Sequence, residues 1–316
     1  MSKLGLLIIA FLFISSGILE AFPGGRVEKV TFYSPSLEVE KSFNIYLPIG
    51  YDQSDKRYPV VYLCRGGEDE WLNRTKIEEL VDTLIENEEI GKMILVFPGL
   101  TFEGNLKIGF PVNMNNIGPL GEREGLGTGR FEDYFTRDLV PYVDENYRTI
   151  PYRSARGIDG FSAGAVTSIL MGVNHPELFL TVGAYDGPWG YLDFNDPSRP
   201  GHEDDSIWMH LDLFDPYFGN PRDTKHMKLY NATNIIHLAK GENLRMLREL
   251  KFFIRSASEN AQSAYIEGTY YLRTLHLVDV LASKGIENYW NADSLILSPE
   301  AEHDWPDAEV DRKSVV

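Results

Sequence analysis

Cysteine and positive charge are both scarce in this sequence. Cys64 is the single cysteine of the chain, so no intramolecular disulfide can form. Stability has to come from an ordinary apolar core, which 316 residues at 43% hydrophobic content can supply. Cys64 itself lies in the apolar stretch "YPVVYLC" and reads as a small buried residue, not a reactive thiol. Lysine and arginine number 30 against 47 aspartates and glutamates, a formal net charge of −17. A chain this acidic repels nucleic acid and anionic lipid, which argues against both as partners. Internal repeats and low-complexity linkers are absent as well. The acidic run "GHEDDS" lacks ligand spacing on a defined element and reads as a solvated loop, so no metal site is expected.

What is present begins with an N-terminal apolar run, "MSKLGLLIIAFLFISSGILEAFPGG". One lysine precedes it and small residues follow it, the layout of a secretory signal peptide over residues 1–21. The run is short for a spanning helix. No cysteine lies near the cleavage region to carry a lipid anchor. The expectation is a secreted or periplasmic protein with no stable membrane association after cleavage, and one domain over residues 22–316.

Along that domain, residues 27–47 alternate apolar and polar about a turn at Ser34–Ser36, predicting an antiparallel hairpin. "YPVVYLC" and "KMILVFPG" are continuous apolar runs of the kind buried parallel strands require. Between them Ile77, Leu80, Val81 and Leu84 share one helical face. Residues 100–127 read as a long surface loop, and "GRFEDYFTRDLVPYVDENY" as a helix kinked near Pro141. "SARGIDG" and "LTVGAYDG" predict strands flanking the helix "AGAVTSILMGVNHPELF". "NATNIIHLAKGEN", residues 231–243, predicts a further strand, followed by helices over roughly 244–258 and 268–284 and a last strand within 287–299. Strands alternating with helices imply an α/β protein with a mostly parallel doubly wound sheet and an antiparallel N-terminal hairpin, the α/β-hydrolase arrangement. Residues 188–230 read as an insertion over the C-terminal edge of the sheet, where such folds bind ligands.

The chemistry centres on "GIDGFSAGAV". A serine between glycines, after a strand and before a helix, matches G-x-S-x-G, a sharp turn that projects Ser162 above the sheet. The N–H of Ala163 then lies where it can stabilise an oxyanion. A serine nucleophile needs a base and an acid, expected later in the chain. His303, in "LILSPEAEHDWP" just after the last strand, is the candidate base. Glu242, Glu259 and Glu267 are candidates for the acid, none fixed by spacing. Gly66 and Gly67, in the exit loop "YLCRGGEDEW", can bring backbone N–H groups close to a substrate oxygen.

These stretches together resemble the esterase D-like α/β-hydrolases, a group that includes feruloyl and acetylxylan esterases, S-formylglutathione hydrolase and the mycolyltransferases. The resemblance runs over most of the mature chain and rests on "FNIYLPIGYDQSDKRYPVVYLCRGG", "DLVPYVDENYRT", "GIDGFSAGAVTSILMGVNHPELF" and "EHDWP". It implies Ser162 as nucleophile, His303 as base, Glu267 as acid with Glu242 as second choice, and an oxyanion hole formed by Ala163 and Gly67. It implies no metal and no organic cofactor. Arg65 replaces the usual His or Asp before the glycine, Ala163 and Ala165 replace Met and Gly at the turn, and "AYDG" stands where "SG" is usual. Arg65, Tyr185 and Trp189 are therefore candidate substrate-pocket residues. The implied function is an exported serine ester hydrolase working through an acyl-enzyme on a small-molecule or carbohydrate ester. An acyltransferase of the same fold and a non-catalytic binding protein on that fold remain alternatives.

Overall fold

The computed structural model describes residues 24–103, 107–121, 123–187, 212–256 and 270–290. The alternating run near the N-terminus forms the expected hairpin, β1 (Arg26–Ser34) and β2 (Val39–Leu47), with Arg26 opposite Leu47 and Ser34 opposite Val39. β1 keeps one face in solvent, whereas β2 is buried from Phe43 onward because a second strand takes its other edge. The two continuous apolar runs are the parallel pair β3 (Val60–Cys64) and β4 (Ile94–Pro98). Two short helices link them, α1 (Glu70–Thr75) and α2 (Ile77–Glu86). α2 buries Ile77, Val81, Leu84 and Ile85, the spacing of one helical face.

A small pair, β5 (Thr101–Phe102) with β6 (Lys107–Ile108), lies within the segment expected to be a surface loop. That expectation needs correction: Phe102, Phe110, Val112 and Leu126 are all buried. The glycines that suggested a loop allow close packing instead. Gly127 has φ +55°, and a Cβ there would sit 1.8 Å from the carbonyl oxygen of Leu37. Helix α3 follows as Phe131–Asp133 and Val140–Asn146, joined by a π-helical stretch, Tyr134–Leu139. Pro141 has no N–H and crowds the preceding turn, and the widened π turn accommodates it without a break in the helix.

The chain then enters the sheet again as β7 (Arg156–Gly160), turns into α4 (Ala163–Asn174), and returns as β8 (Thr181–Tyr185). All but the last residue of α4 are buried, as its position against the sheet requires. Beyond residue 211 come α5 (Asp215–Phe218), α6 (Thr224–Leu229), α7 (Ala232–Leu238) and α8 (Gly241–Glu249). Here a second correction enters. The run "NIIHLA" is helix α7, not a strand, and the strand lies in the stretch expected to be helical, as β9 (Lys251–Arg255). A short apolar run does not separate the two states by periodicity. The deciding signal was the cap: the Asn231 side chain accepts from the N–H of Asn234 at 2.8 Å, which starts a helix. In "KFFIR", Phe252 and Ile254 are buried and Phe253 is exposed, the two-residue period of a strand. Helix α9 (Tyr270–Ser283) and β10 (Asn288–Trp290) complete the described chain.

Among the described residues the main sheet has eight strands in the order β1-β2-β4-β3-β7-β8-β9-β10, antiparallel at β1/β2 and β2/β4 and parallel from β4 onward. From β3 the chain crosses to β4 on one side, while β7 later pairs with β3 on the other. The C-terminal ends of β3 and β7 thus form the crevice where such sheets place ligands. Two apolar clusters fill the opposite faces. One contains Val60, Tyr62, Cys64 and Ile158, the other Leu63, Trp71, Phe161 and Tyr185. Cys64 is fully buried, and burial pushes its thiol well above the ordinary range, so it is not a thiolate.

Candidate active site

The turn between β7 and α4 is built by its glycines. A Cβ on Gly160 would lie 2.2 Å from the backbone carbonyl carbon of Gly164. A Cβ on Gly164 would lie 1.8 Å from the carbonyl oxygen of Cys64 and 2.8 Å from the Arg65 nitrogen. Only hydrogen fits at either position, because strand, helix and the end of β3 meet backbone to backbone. That close approach forces Ser162 to φ 55° and ψ −116°, a conformation costly for any residue with a Cβ. The surroundings hold it there. The Ser162 N–H donates to the Tyr185 carbonyl at 2.9 Å, and the Phe161 N–H to the Cys64 carbonyl at 3.4 Å.

The sequence-expected groups can now be placed. Ser162 heads helix α4 at the C-terminal edge of the sheet, and Ala163 is the first helical residue. The N–H of Ala163 has no acceptor among the described residues, as expected of a first-turn amide, and is available to a developing oxyanion. Gly67 lies on the exit loop of β3, the strand paired with β7, so the topology brings it to the same crevice. Its N–H, however, donates to Glu70 Oε1 at 2.8 Å, and the Gly66 N–H reaches the same oxygen at 3.2 Å. Arg65 lies with its guanidinium 5.2 Å from the ring centroid of Phe161 and its Nε 3.5 Å from Glu70 Oε2. Tyr185 is buried and stacks on Phe161 at 5.3 Å, supporting the residue that precedes the nucleophile. Glu242 sits in the first turn of α8, an exposed carboxylate bridged to Arg245. The Arg245 hydrogen bond and charge pull its pKa below the ordinary value. The segment before Glu242, expected to be a strand, is helix α7, so Glu242 does not follow a strand of the sheet. His303, Glu267, Glu259 and Trp189 lie outside the described residues, as do the signal segment and "GHEDDS".

Three acids near the turn escaped the sequence reading. Glu70 is the first, three residues after a Gly-Gly pair, a spacing that carries no signal until the fold of the loop is known. Asp159, on β7, packs so closely on β8 that a Cβ on Gly183 would lie 2.3 Å from its carboxyl carbon. Although the residue retains some exposure, burial pushes its pKa up to about 7, opposed by the Gly160 N–H and the charge of Arg255. Asp186 directly follows β8, is fully buried, has φ 47°, and accepts from the Ser256 hydroxyl at 3.3 Å. A charge inside the strand motif "GIDG" was legible as an anomaly, but its partners were not. The half-buried His175 is engaged elsewhere, with Nε2 2.9 Å from Glu132 and Nδ1 3.2 Å from Glu177. Among the described residues no group of three or more His, Cys, Asp or Glu side chains could hold a metal ion. Among them, too, no helix is long and apolar enough to cross a membrane.

Comparison with known proteins places this geometry among relatives. A family model described as "Putative esterase" matches residues 34–217, more than half of the chain. The chain is 32% identical over 176 residues to an endo-1,4-beta-xylanase/feruloyl esterase of Xylanibacter ruminicola, covering 53% of this chain and 21% of that protein. It is 30% identical over 164 residues to endo-1,4-beta-xylanase Y of Acetivibrio thermocellus, covering 48% of this chain and 13% of that protein. The chain thus spans about a fifth or less of the length of these two relatives. Among solved structures, a ferulic acid esterase superposes with a TM-score of 0.67 at 18% identity, covering 92% of this chain and 95% of the other. An S-formylglutathione hydrolase from Agrobacterium tumefaciens gives 0.62 at 15% identity, covering 92% of each. At these identities the structural likeness establishes the α/β-hydrolase fold.

Proposed function

This chain belongs to the esterase family whose model it matches, and on that premise we propose that it is a serine carboxylic-ester hydrolase. The observation that carries the reading is Ser162, held at φ 55° on a glycine-framed turn, with the N–H of Ala163 beside it donating to no acceptor among the described residues. A left-handed serine wedged between three strand ends is a costly arrangement for a turn with no function.

In the proposed reaction Ser162 Oγ attacks the ester carbonyl carbon while His303 takes its proton. The carbonyl oxygen becomes an oxyanion, stabilised by the N–H of Ala163 and by the β3 exit loop at Gly67. Collapse of this intermediate breaks the ester C–O bond, and His303 returns the proton to the departing alcohol. Water then attacks the acyl-enzyme by the same route. The acid that orients His303 belongs after β9, which ends at Arg255, so the segment carrying Glu259 and Glu267 succeeds Glu242 as its source. Glu267 remains the first choice.

Relatives named for feruloyl ester cleavage support carbohydrate-linked aromatic esters as the first substrate class to assay, and the N-terminal apolar run supports export to where such esters occur. The test is covalent labelling with a fluorophosphonate, mapped by mass spectrometry, with Ser162→Ala as control. An adduct on Ser162 that is absent from the variant is the expected result. Folded wild-type protein that takes no label overturns the catalytic reading in favour of a binding protein on this fold.

A further inference from the structure

The β3 exit loop has two consecutive glycines, Gly66 and Gly67, which carry no side chains to fix their peptide planes, yet the donor geometry of an oxyanion site must be held to within a fraction of an ångström. Glu70 supplies the missing constraint. Its Oε1 accepts from the N–H of both Gly66 and Gly67, at 3.2 and 2.8 Å, a small nest of amides closed around one carboxylate oxygen. Its own N–H returns to the Gly67 carbonyl at 3.3 Å. Behind the loop, the Gly66 carbonyl accepts from the Leu100 N–H at 2.9 Å, and a Cβ on Gly66 would meet Glu70 Oε1 at 2.9 Å, Ile108 at 3.2 Å and Thr101 at 3.3 Å. The second carboxylate oxygen faces Arg65, whose guanidinium lies over the ring of Phe161, the residue before Ser162. One side chain is thereby tied both to the loop that must present a donor and, through Arg65 and Phe161, to the turn that presents the nucleophile.

The geometry points to Glu70 as the positioning residue of the oxyanion loop, a role that rests on the Ser162 reading above. The carboxylate sets the Gly66 and Gly67 peptide planes before substrate arrives. As the oxyanion forms, the Gly67 N–H is shared between it and Glu70. Glu70 is not itself a catalytic residue, because it acts on the reaction through these amides. Both functional features of Glu70 matter, its acceptor oxygen more than its charge. Glutamine keeps that oxygen at the same reach, whereas alanine leaves two glycine amides with no anchor.

The test compares wild type, Glu70→Ala and Glu70→Gln in three measurements: the rate of fluorophosphonate labelling at Ser162, the kcat and KM for a simple aryl ester, and Tm. The expected result is a fall in labelling rate and kcat of about tenfold or more in Glu70→Ala, with KM within about twofold, and substantial recovery in Glu70→Gln. Equal or faster labelling of Glu70→Ala, with wild type reactive, overturns this proposal alone and makes Glu70 a competitor for the Gly67 amide. Equal losses in both variants that follow a fall in Tm also overturn it, as the mark of a purely structural contact. An unreactive wild type overturns the nucleophile assignment and this inference with it.

Discussion

Replacing Ser162 by glycine should make the protein inactive and more stable than replacing it by alanine. Both substitutions remove the hydroxyl and every contact it makes, so the difference between them isolates one atom, the Cβ. At φ 55° and ψ −116° that atom is strained, and backbone conformations of this kind cost about 1–3 kcal/mol in any residue but glycine. Glycine also gains freedom in the unfolded chain, which returns about 0.4–1 kcal/mol to the unfolded state. The net advantage of Ser162→Gly over Ser162→Ala is therefore about 1 kcal/mol, rising toward 2 if the strain is at the upper end of its range. For a domain of this size, at about 2.1 cal/mol/K of unfolding entropy per residue, the shift in Tm is about 1.5–3 °C. Differential scanning calorimetry on the two variants under identical conditions reads it directly. If Ser162→Gly melts at or below Ser162→Ala, the turn stores no strain, and the argument that its geometry is maintained for function loses its physical basis.

Two further outcomes follow from the same region. Gly164→Ala should cost at least about 3 kcal/mol, because the added Cβ would meet a backbone carbonyl at 1.8 Å that no side-chain rotation can move; Gly91→Ala, with nothing within 4 Å, is the control and should stay within about 0.5 kcal/mol by chemical denaturation. Asp159 has a folded-state pKa raised to about 7 from an ordinary aspartate value near 3.8, so its contribution to stability is fully present below pH ~4 and is lost as pH rises through 7. Asp159→Asn removes that slope while keeping an acceptor for the Gly160 N–H, and should therefore be the more stable protein at pH 8; parallel stability curves for wild type and variant from pH 4 to 8 would rule the assignment out.

How far the site could be read from the sequence depended on whether a signal was local. The G-x-S-x-G spacing was legible because the reason for it is steric and short-range: Gly160 and Gly164 touch each other across the turn they enclose. β3 and β4 were legible for a similarly local reason, since each is a continuous apolar run buried in the sheet. The strand after β8 was misplaced because "NIIHLA" is as apolar as a strand. Its helical fate was decided by one capping side chain, Asn231. That difference bears on the site, because Glu242, the second choice for the acid, follows helix α7 and not a strand of the sheet.

Glu70 was invisible for a different cause. A carboxylate three residues beyond a glycine pair carries no meaning until the pair's N–H groups are known to converge on it, and convergence is a property of the loop's fold. The same holds for Arg65, read as a pocket residue from its place in the motif but found stacked on Phe161 beside Glu70. Chain order and sheet order together explain why these residues meet. β3 and β7 are far apart in sequence yet adjacent in the sheet, with Cys64 opposite Gly160, so the exit loop of one strand and the nucleophile turn of the next are forced into contact. Gly164 packs against the Cys64 carbonyl so closely that no Cβ fits there. The donor loop and the serine are therefore one mechanical unit, and a substitution that moves the glycine pair at 66–67 should be felt at Ser162 even though it touches neither substrate nor nucleophile.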